Sequence, residues 1–280
     1  MLPHLLHIEN FVKNAILEDI PHGQDLTSHL LIDGHHTSTA YINARQNGTL
    51  AGLVPALTAF TLTDPDFSFE INKEDGDTIN TGDCLITING PTRALLTAER
   101  TALNILSHLS GIATLTAQYV AETKGTNAKI TCTRKTLPGL RIFQKHAVSM
   151  GGGHNHRYGL DDAIMIKDNH IAAAGSIESA LTAAQHGRSH TTTVEIEVDT
   201  LDQLQDVLNH GAAHIILLDN MPPETLEKAV KMTNGAHTLE ASGGVTLKTV
   251  KAIAQTGIDY ISVGALTHSA SALDLGLDFD

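Results

Sequence analysis

Apolar positions along the first third of the chain change period several times. Ile8 to Leu17 repeat at helical spacing, whereas Thr39 to Ala44, Phe67 to Asn72 and Cys84 to Ile88 have the alternation of short strands. From Thr92 to about Thr123 the helical period returns, with Leu95, Leu96, Leu103, Ile105, Leu106 and Leu109 on its apolar positions. Ser110-Gly111 predicts a break in that helix, because glycine and serine weaken helix interiors.

Beyond Thr123 a different rhythm takes over. Apolar strand candidates at Lys129 to Cys132, Ala163 to Ile166, Val194 to Val198, His214 to Leu218, His237 to Leu239 and Asp259 to Val263 alternate with helical stretches. Helix starts are marked by Thr200, Pro222-Pro223 and Thr246, and helix ends by Gly211, Gly235 and Gly257. This is the βα pattern of a parallel barrel. Six strands are fewer than the eight of a closed (β/α)8 barrel, so an open, incomplete α/β barrel is expected. In such barrels the site forms where strands end and loops begin. Those positions hold Arg134 and Lys135, Lys167, Glu197, Asp219, Ser242-Gly243-Gly244 and Gly264.

Between the second and third early strands lies the turn-rich run Glu74 to Asp83. Its Gly-Asp spacing resembles the hairpins of lipoyl-carrier and hammerhead-type modules. A carrier needs a lysine at an exposed hairpin tip, and Lys73 precedes the turn, so a structural hammerhead is the better reading. The expected organisation is an N-terminal α/β hammerhead-like domain with a linking helix over residues 1–112. An open α/β barrel follows over 113–280, its extreme C-terminus able to pack back on the first domain.

Composition narrows the function classes. Hydrophobic residues make up 41% and charged residues 18% of 280 residues, an ordinary globular balance. A formal charge of -13 argues against nucleic acid or a membrane surface as partner. No signal-like start or long apolar run is visible, so a cytoplasmic location is expected. Cys84 and Cys132 form no Cys-x-x-Cys pattern, and both read as small buried residues.

Charge is distributed unevenly. The segment Thr133 to His170 holds six of the eighteen Lys and Arg residues against three acids, a local balance of +3. In an acidic chain such an island suggests an anion site, where arginine grips carboxylate or phosphate through paired hydrogen bonds. Arg141 and Lys145, at i and i+4, instead fit a solvated helix face. Gly151-Gly152-Gly153 lets the backbone approach a ligand just before His154, His156 and Arg157. Histidines at i and i+2 could hint at zinc, but no third ligand stands at a known spacing. Glu197 and Asp219, near the ends of neighbouring strands, suit ribose hydroxyls or Mg2+. Glu195 should face the same way as Glu197, as a supporting or core acid. Ser242 to Gly244 and Val263-Gly264-Ala265 are glycine turns of the kind that cradle phosphate.

Six ordered motifs then point to a family. They are Thr133 to Arg141 (TRKTLPGLR), Gly151 to Arg157 (GGGHNHR), Ile166 to His170 (IKDNH), Leu218 to Asn220 (LDN), Glu240 to Gly244 (EASGG) and Val263 to His268 (VGALTH). Together they resemble quinolinate phosphoribosyltransferase, also called nicotinate-nucleotide pyrophosphorylase (carboxylating). The resemblance implies the hammerhead and open-barrel fold and a homodimer, or a higher assembly of dimers, with shared active sites. It implies conversion of quinolinate and phosphoribosyl pyrophosphate to nicotinate mononucleotide, pyrophosphate and CO2, with Mg2+. Thr133, Arg134, Lys135, His156, Arg157 and Lys167 would surround the substrates, with Arg100 supplied by the partner subunit. Lys135, Glu197 and Asp219 would be catalytic, and Glu197 and Asp219 would also hold the metal. Ser242, Gly243, Gly244, Val263, Gly264 and Ala265 would bind phosphate. Cys132 departs from the acid that many relatives carry there. A same-fold relative that uses nicotinate as acceptor is the nearest alternative.

Overall fold

The computed structural model describes residues 3–280. In chain order its elements are α1 (Leu5–Asp19), α2 (Leu26–Leu31), β1 (Thr37–Ala44), β2 (Gly48–Thr49), α3 (Leu53–Thr63), β3 (Ser68–Ile71), β4 (Thr78–Ile79), β5 (Cys84–Pro91) and α4 (Thr92–Glu122). Then follow β6 (Lys129–Thr131), α5 (Arg141–Met150), β7 (Ile164–Ile166), α6 (Asp168–Ala174), α7 (Ile177–Gly187), β8 (Val194–Val198) and α8 (Leu201–His210). The chain closes with β9 (Ile215–Asp219), α9 (Pro223–Thr233), β10 (Thr238–Ser242), α10 (Val250–Ala254), β11 (Tyr260–Ser262), α11 (Ala265–His268) and β12 (Leu275–Phe279).

These elements form two compact units. One contains the chain up to Ala117 with Thr136–Gly152 and Thr267–Asp280, and the other contains Gln118–Lys135 and Gly153–Leu266. The C-terminal segment thus groups with the first unit, and so does Thr136–Gly152. No described helix is long and apolar enough to cross a membrane.

The first unit is built on an antiparallel sheet in the order β12-β1-β5-β3. Ala40, Ile42 and Ala44 of β1 and Leu85, Ile86 and Ile88 of β5 are buried in it. α3 escaped the periodicity because it is apolar nearly all round, with Ala56, Ala59 and Phe60 buried, and shows no polar stripe. α4 runs through Ser110-Gly111 without the expected break. Ser110 Oγ instead hydrogen-bonds the Ala51 backbone, accepting from N at 3.0 Å and donating to O at 3.2 Å. A Cβ on Gly111 would lie 2.0 Å from the Ser271 carbonyl oxygen. The Ser-Gly pair therefore serves close backbone packing. Lys73 pairs with Asp83 at 3.5 Å beside the turn. Of the two free cysteines, Cys132 is buried and Cys84 only half-buried, because Cys84 opens β5 at its turn.

The second unit carries six parallel strands in the order β6-β11-β10-β9-β8-β7. β6 and β7 are its two edges, so the α/β barrel is open. His154 adds a single parallel bridge to Thr131 beyond β6. Thr200 caps α8 by accepting from Gln203 N at 3.2 Å, and Gly211 ends it at φ 74. Pro223 opens α9, whereas Asn234, at φ 48, ends it one residue before Gly235. At Thr246 the chain first makes a turn in which Thr249 Oγ1 accepts from Thr246 N at 2.9 Å, so α10 starts only at Val250.

Candidate active site

Parallel pairing sets the barrel residues in rows across the strands. Glu197 on β8 is level with Leu217 on β9, Leu217 with Glu240 on β10, and Glu240 with Tyr260 on β11. Asp219 is level with Ser242 one step further along. Because strand side chains alternate, Glu195, Glu197, Asp219, Glu240 and Ser242 all project from one face of the sheet. Val194, Ile196, Val198, Ile216, Leu218, Leu239 and Ala241 fill the other face and are buried.

Cations meet these acids. Lys167, directly after β7, donates from Nζ to Glu197 Oε2. His156 Nε2 lies 3.0 Å from Glu195 Oε2 and 3.7 Å from Glu240 Oε1. Glu195 and Glu240 are both buried, and Glu240 Oε1 has no hydrogen-bond partner. Burial, followed by the charge of Glu195, pushes the Glu240 carboxyl up to about 7, with His156 pulling the other way. Arg157 donates from Nη1 to Ala163 O at 3.1 Å, while its buried Nε has no hydrogen-bond partner. Burial lowers the Arg157 pKa, and the charge of Arg134 lowers it further, so the two guanidinium groups are within electrostatic reach of each other. The turn after Arg157 is fixed by Asp162, which accepts from Tyr158 N at 2.5 Å and Gly159 N at 3.0 Å. Burial alone would raise the Asp162 carboxyl, but these backbone bonds, its own N–H and the Arg157 charge together leave it below the usual value.

Asp219 is held from its own loop. Asn220 Nδ2 donates to Asp219 Oδ2 at 2.6 Å, and Asn220 N donates to Ser242 O at 2.9 Å. Asn220 adopts φ 53, a conformation that asparagine tolerates better than most residues. Gly243, at φ 91, is required by close approach: a Cβ there would lie 2.1 Å from Asn220 Oδ1. Asn220 thus ties the end of β9 to β10 through its backbone N–H while its side chain holds Asp219. Val263 is buried and donates from N to Thr131 O at 2.9 Å, leading through Gly264 to Ala265 at the start of α11. After β6, Thr133 Oγ1 accepts from Lys135 N at 3.0 Å, and Cys132 Sγ lies 3.2 Å from Asn155 Oδ1.

The single cationic stretch of the sequence is divided by the fold. Thr133, Arg134, Lys135, His156, Arg157 and Lys167 belong to the second unit with Glu197, Asp219 and both glycine turns, while Arg141 and Lys145 belong to the first. Lys145 does not lie on a solvated face: it is 0% exposed, between buried Phe143 and Gln144 on one side and His146 to Val148 on the other. Arg100 is exposed on α4 in the first unit, with Glu99 Oε1 3.9 Å away. His154 and His156 serve different surroundings, the first through its backbone bridge and an edge-on ring contact to Tyr260 at 6.2 Å, the second through Glu195. Glu240 was missed because β10 was expected to stop at Leu239, whereas it continues to Ser242 and carries Glu240 inside the sheet.

Two family models cover nearly the whole chain: Quinolinate phosphoribosyl transferase, N-terminal domain, matches residues 25–110, and its C-terminal domain matches residues 112–278. The chain belongs to the quinolinate phosphoribosyltransferase family. A relative from Bacillus subtilis (strain 168), named probable nicotinate-nucleotide pyrophosphorylase [carboxylating], is 42% identical over 273 residues, spanning 98% of this chain and 93% of its own. The nicotinate-nucleotide pyrophosphorylase [carboxylating] of Mycobacterium leprae (strain TN) is 43% identical over 272 residues, 95% of each chain. Among solved structures, NadC from Streptococcus pyogenes superposes with a TM-score of 0.95 at 40% identity, covering 100% of this chain and 99% of that one. As a quinolinate phosphoribosyltransferase family member the chain is a pentosyltransferase, and its fold matches that of the NadC structure.

Proposed function

We propose that this chain transfers the phosphoribosyl group of phosphoribosyl pyrophosphate to quinolinate with loss of one carboxylate, yielding nicotinate mononucleotide, pyrophosphate and CO2 for de novo NAD synthesis. One observation carries the reading: cations from three separate loops and carboxylates on β8 and β9 belong to one open barrel. The relatives that share this sequence over almost its full length are named for that reaction.

Arg134, Arg157 and His156 are the groups suited to a ring dicarboxylate, since charge-assisted and paired hydrogen bonds favour two carboxylates over one. Lys135 and Lys167 suit the phosphates, and the turns at Ser242 to Gly244 and Val263 to Ala265 offer backbone N–H groups to them. In the first step the ring nitrogen bonds to the anomeric carbon while the bond from that carbon to pyrophosphate breaks. Positive charge grows on the sugar, and Glu197 and Asp219 stabilise it. In the second step the carbon–carboxylate bond breaks, CO2 departs, and its electron pair stays on the ring carbon beside the cationic nitrogen. That carbon then takes a proton. Only contacts that strengthen on the way to each transition state speed it, so the cations must hold the departing carboxylate without overstabilising its charge.

The oxygen donors of Glu197 and Asp219, on one sheet face and adjacent strands, fit Mg2+. When bound there, the ion would neutralise charge on the diphosphate. Exposed Arg100 fits a role in a second subunit's site, and we propose a homodimer with shared active sites.

Incubation with phosphoribosyl pyrophosphate, Mg2+ and either quinolinate or nicotinate tests this reading. Nicotinate mononucleotide is expected from quinolinate alone. Equal or preferential turnover of nicotinate would contradict it.

A further inference from the structure

We propose that Glu240 is a positioning residue that keeps a proton in the free enzyme, so that His156 faces one carboxylate rather than two and binding of a ring dicarboxylate takes up protons. The second half rests on the quinolinate reading, and the first half does not.

Glu240 is 4% exposed and Glu195 2%, and single ligating atoms of these two acids and His156 lie within 4.8 Å of one another. The groups facing Glu240 come from several elements of the barrel. Glu195 projects from β8, His156 from the segment after the His154 bridge, and Lys167 from the end of β7. On β9 the level residue is Leu217, and on β11 it is Tyr260, with Lys129 of β6 5.5 Å from the centre of the Tyr260 ring; the Ser262 hydroxyl hydrogen-bonds Glu240 and, like His156, opposes the upward shift without cancelling it. Lys167 is already bonded to Glu197. Two buried acids therefore share one adjacent imidazole. Ionising both leaves an uncompensated buried negative charge, and crowded carboxyls avoid this by retaining a proton. Glu240 is the better holder, since its Oε1 has no hydrogen-bond partner while Glu195 makes the shorter contact to His156. The upward shift of Glu240 to about 7 agrees with this assignment.

Such a proton matters for an anion site. With Glu240 neutral, the Glu195–His156 pair is balanced and the guanidinium groups act on the ligand undiminished. With Glu240 ionised, a negative charge stands behind His156 and opposes a dianion. Dicarboxylate binding must then raise the proton affinity of Glu240, by linkage. Affinity for quinolinate is expected to fall on the order of tenfold between pH 6 and pH 9, the change that corresponds to a ligand-induced shift of about one pKa unit.

The test has two arms on the full-length protein. Infrared difference spectra of the free enzyme between pH 6 and pH 9 are expected to show a protonated-carboxyl band that fades as pH rises and is missing in Glu240→Gln. Calorimetric titration with quinolinate alone, in buffers of different ionisation enthalpy near pH 7, is expected to show uptake of a fraction of a proton that Glu240→Gln abolishes. Should Glu240→Gln not fold, Glu195→Gln serves instead, and its protonated-carboxyl band should fade at lower pH than that of wild type. Undiminished uptake in Glu240→Gln would move the proton to His156 and overturn the proposal, as would a missing band or an unmoved midpoint in Glu195→Gln. If quinolinate fails to bind while the band behaves as expected, the substrate reading fails and the proton assignment stands.

Discussion

Arg134 follows β6 within electrostatic reach of Arg157, and a dianion is what two such neighbours accommodate. Replacing Arg134 by alanine removes charge-assisted hydrogen bonds, a loss of about 1.5 to 3 kcal/mol, or roughly 10- to 150-fold in quinolinate affinity. Calorimetry checks this, and unchanged affinity would remove Arg134 from the site. Glu240 makes a separate prediction about stability. Its folded-state pKa is raised, so its contribution is complete below the unfolded-state value near 4.5 and is lost as pH rises through about 7. Denaturant unfolding at pH 5 and pH 8 should therefore show Glu240→Gln gaining stability relative to wild type at the higher pH. An identical difference at both values would contradict the assignment. At this scale the cations after the strands were readable, because basic residues at strand ends of an acidic chain are conspicuous. Lys145 and Glu240 were not, since each is a charge inside an element of mixed polarity whose burial depends on residues distant in sequence.

Elements were legible where one face is apolar and the ends are marked. Thr200 and Gly211 bound α8 as expected, and five of the six barrel strands lay within a residue or two of their predicted ends. What the pattern could not supply was close backbone contact. Gly111 reads as a helix breaker in one dimension, but its reason is the Ser271 carbonyl, more than a hundred residues away in sequence. Gly111→Ala should cost about 1 to 3 kcal/mol of stability through overpacking, measured as a lower denaturant midpoint. Wild-type stability would refute the contact. Gly243→Ala combines a positive φ with a clash against Asn220, which is the residue that holds Asp219. It should lose both stability, by about 1 to 3 kcal/mol, and turnover. Loss of stability with intact kcat would separate the turn from the chemistry.

For the whole molecule, the sequence signalled an open barrel by supplying six strands where closure needs eight, and the sheet order has β6 and β7 as its edges. The grouping of Thr136–Gly152 with the first unit was not legible, because α5 looks like any other helix of the βα series until its buried neighbours are known. A shared-site homodimer makes a prediction of its own. Arg100→Ala and Arg134→Ala proteins, each strongly impaired alone at limiting quinolinate, should regain about a quarter of wild-type activity when mixed and allowed to exchange subunits, since half the dimers would carry one intact site. No recovery despite subunit exchange would place Arg100 outside the partner's site. The central claim is transfer coupled to decarboxylation, and it is tested most directly by following label from quinolinate whose ring-nitrogen-adjacent carboxylate is isotopically marked. Labelled CO2 should appear only when phosphoribosyl pyrophosphate is present, one molecule for each pyrophosphate and nicotinate mononucleotide formed. Pyrophosphate release with the label retained in the nucleotide product, or no pyrophosphate release at all, would contradict the account.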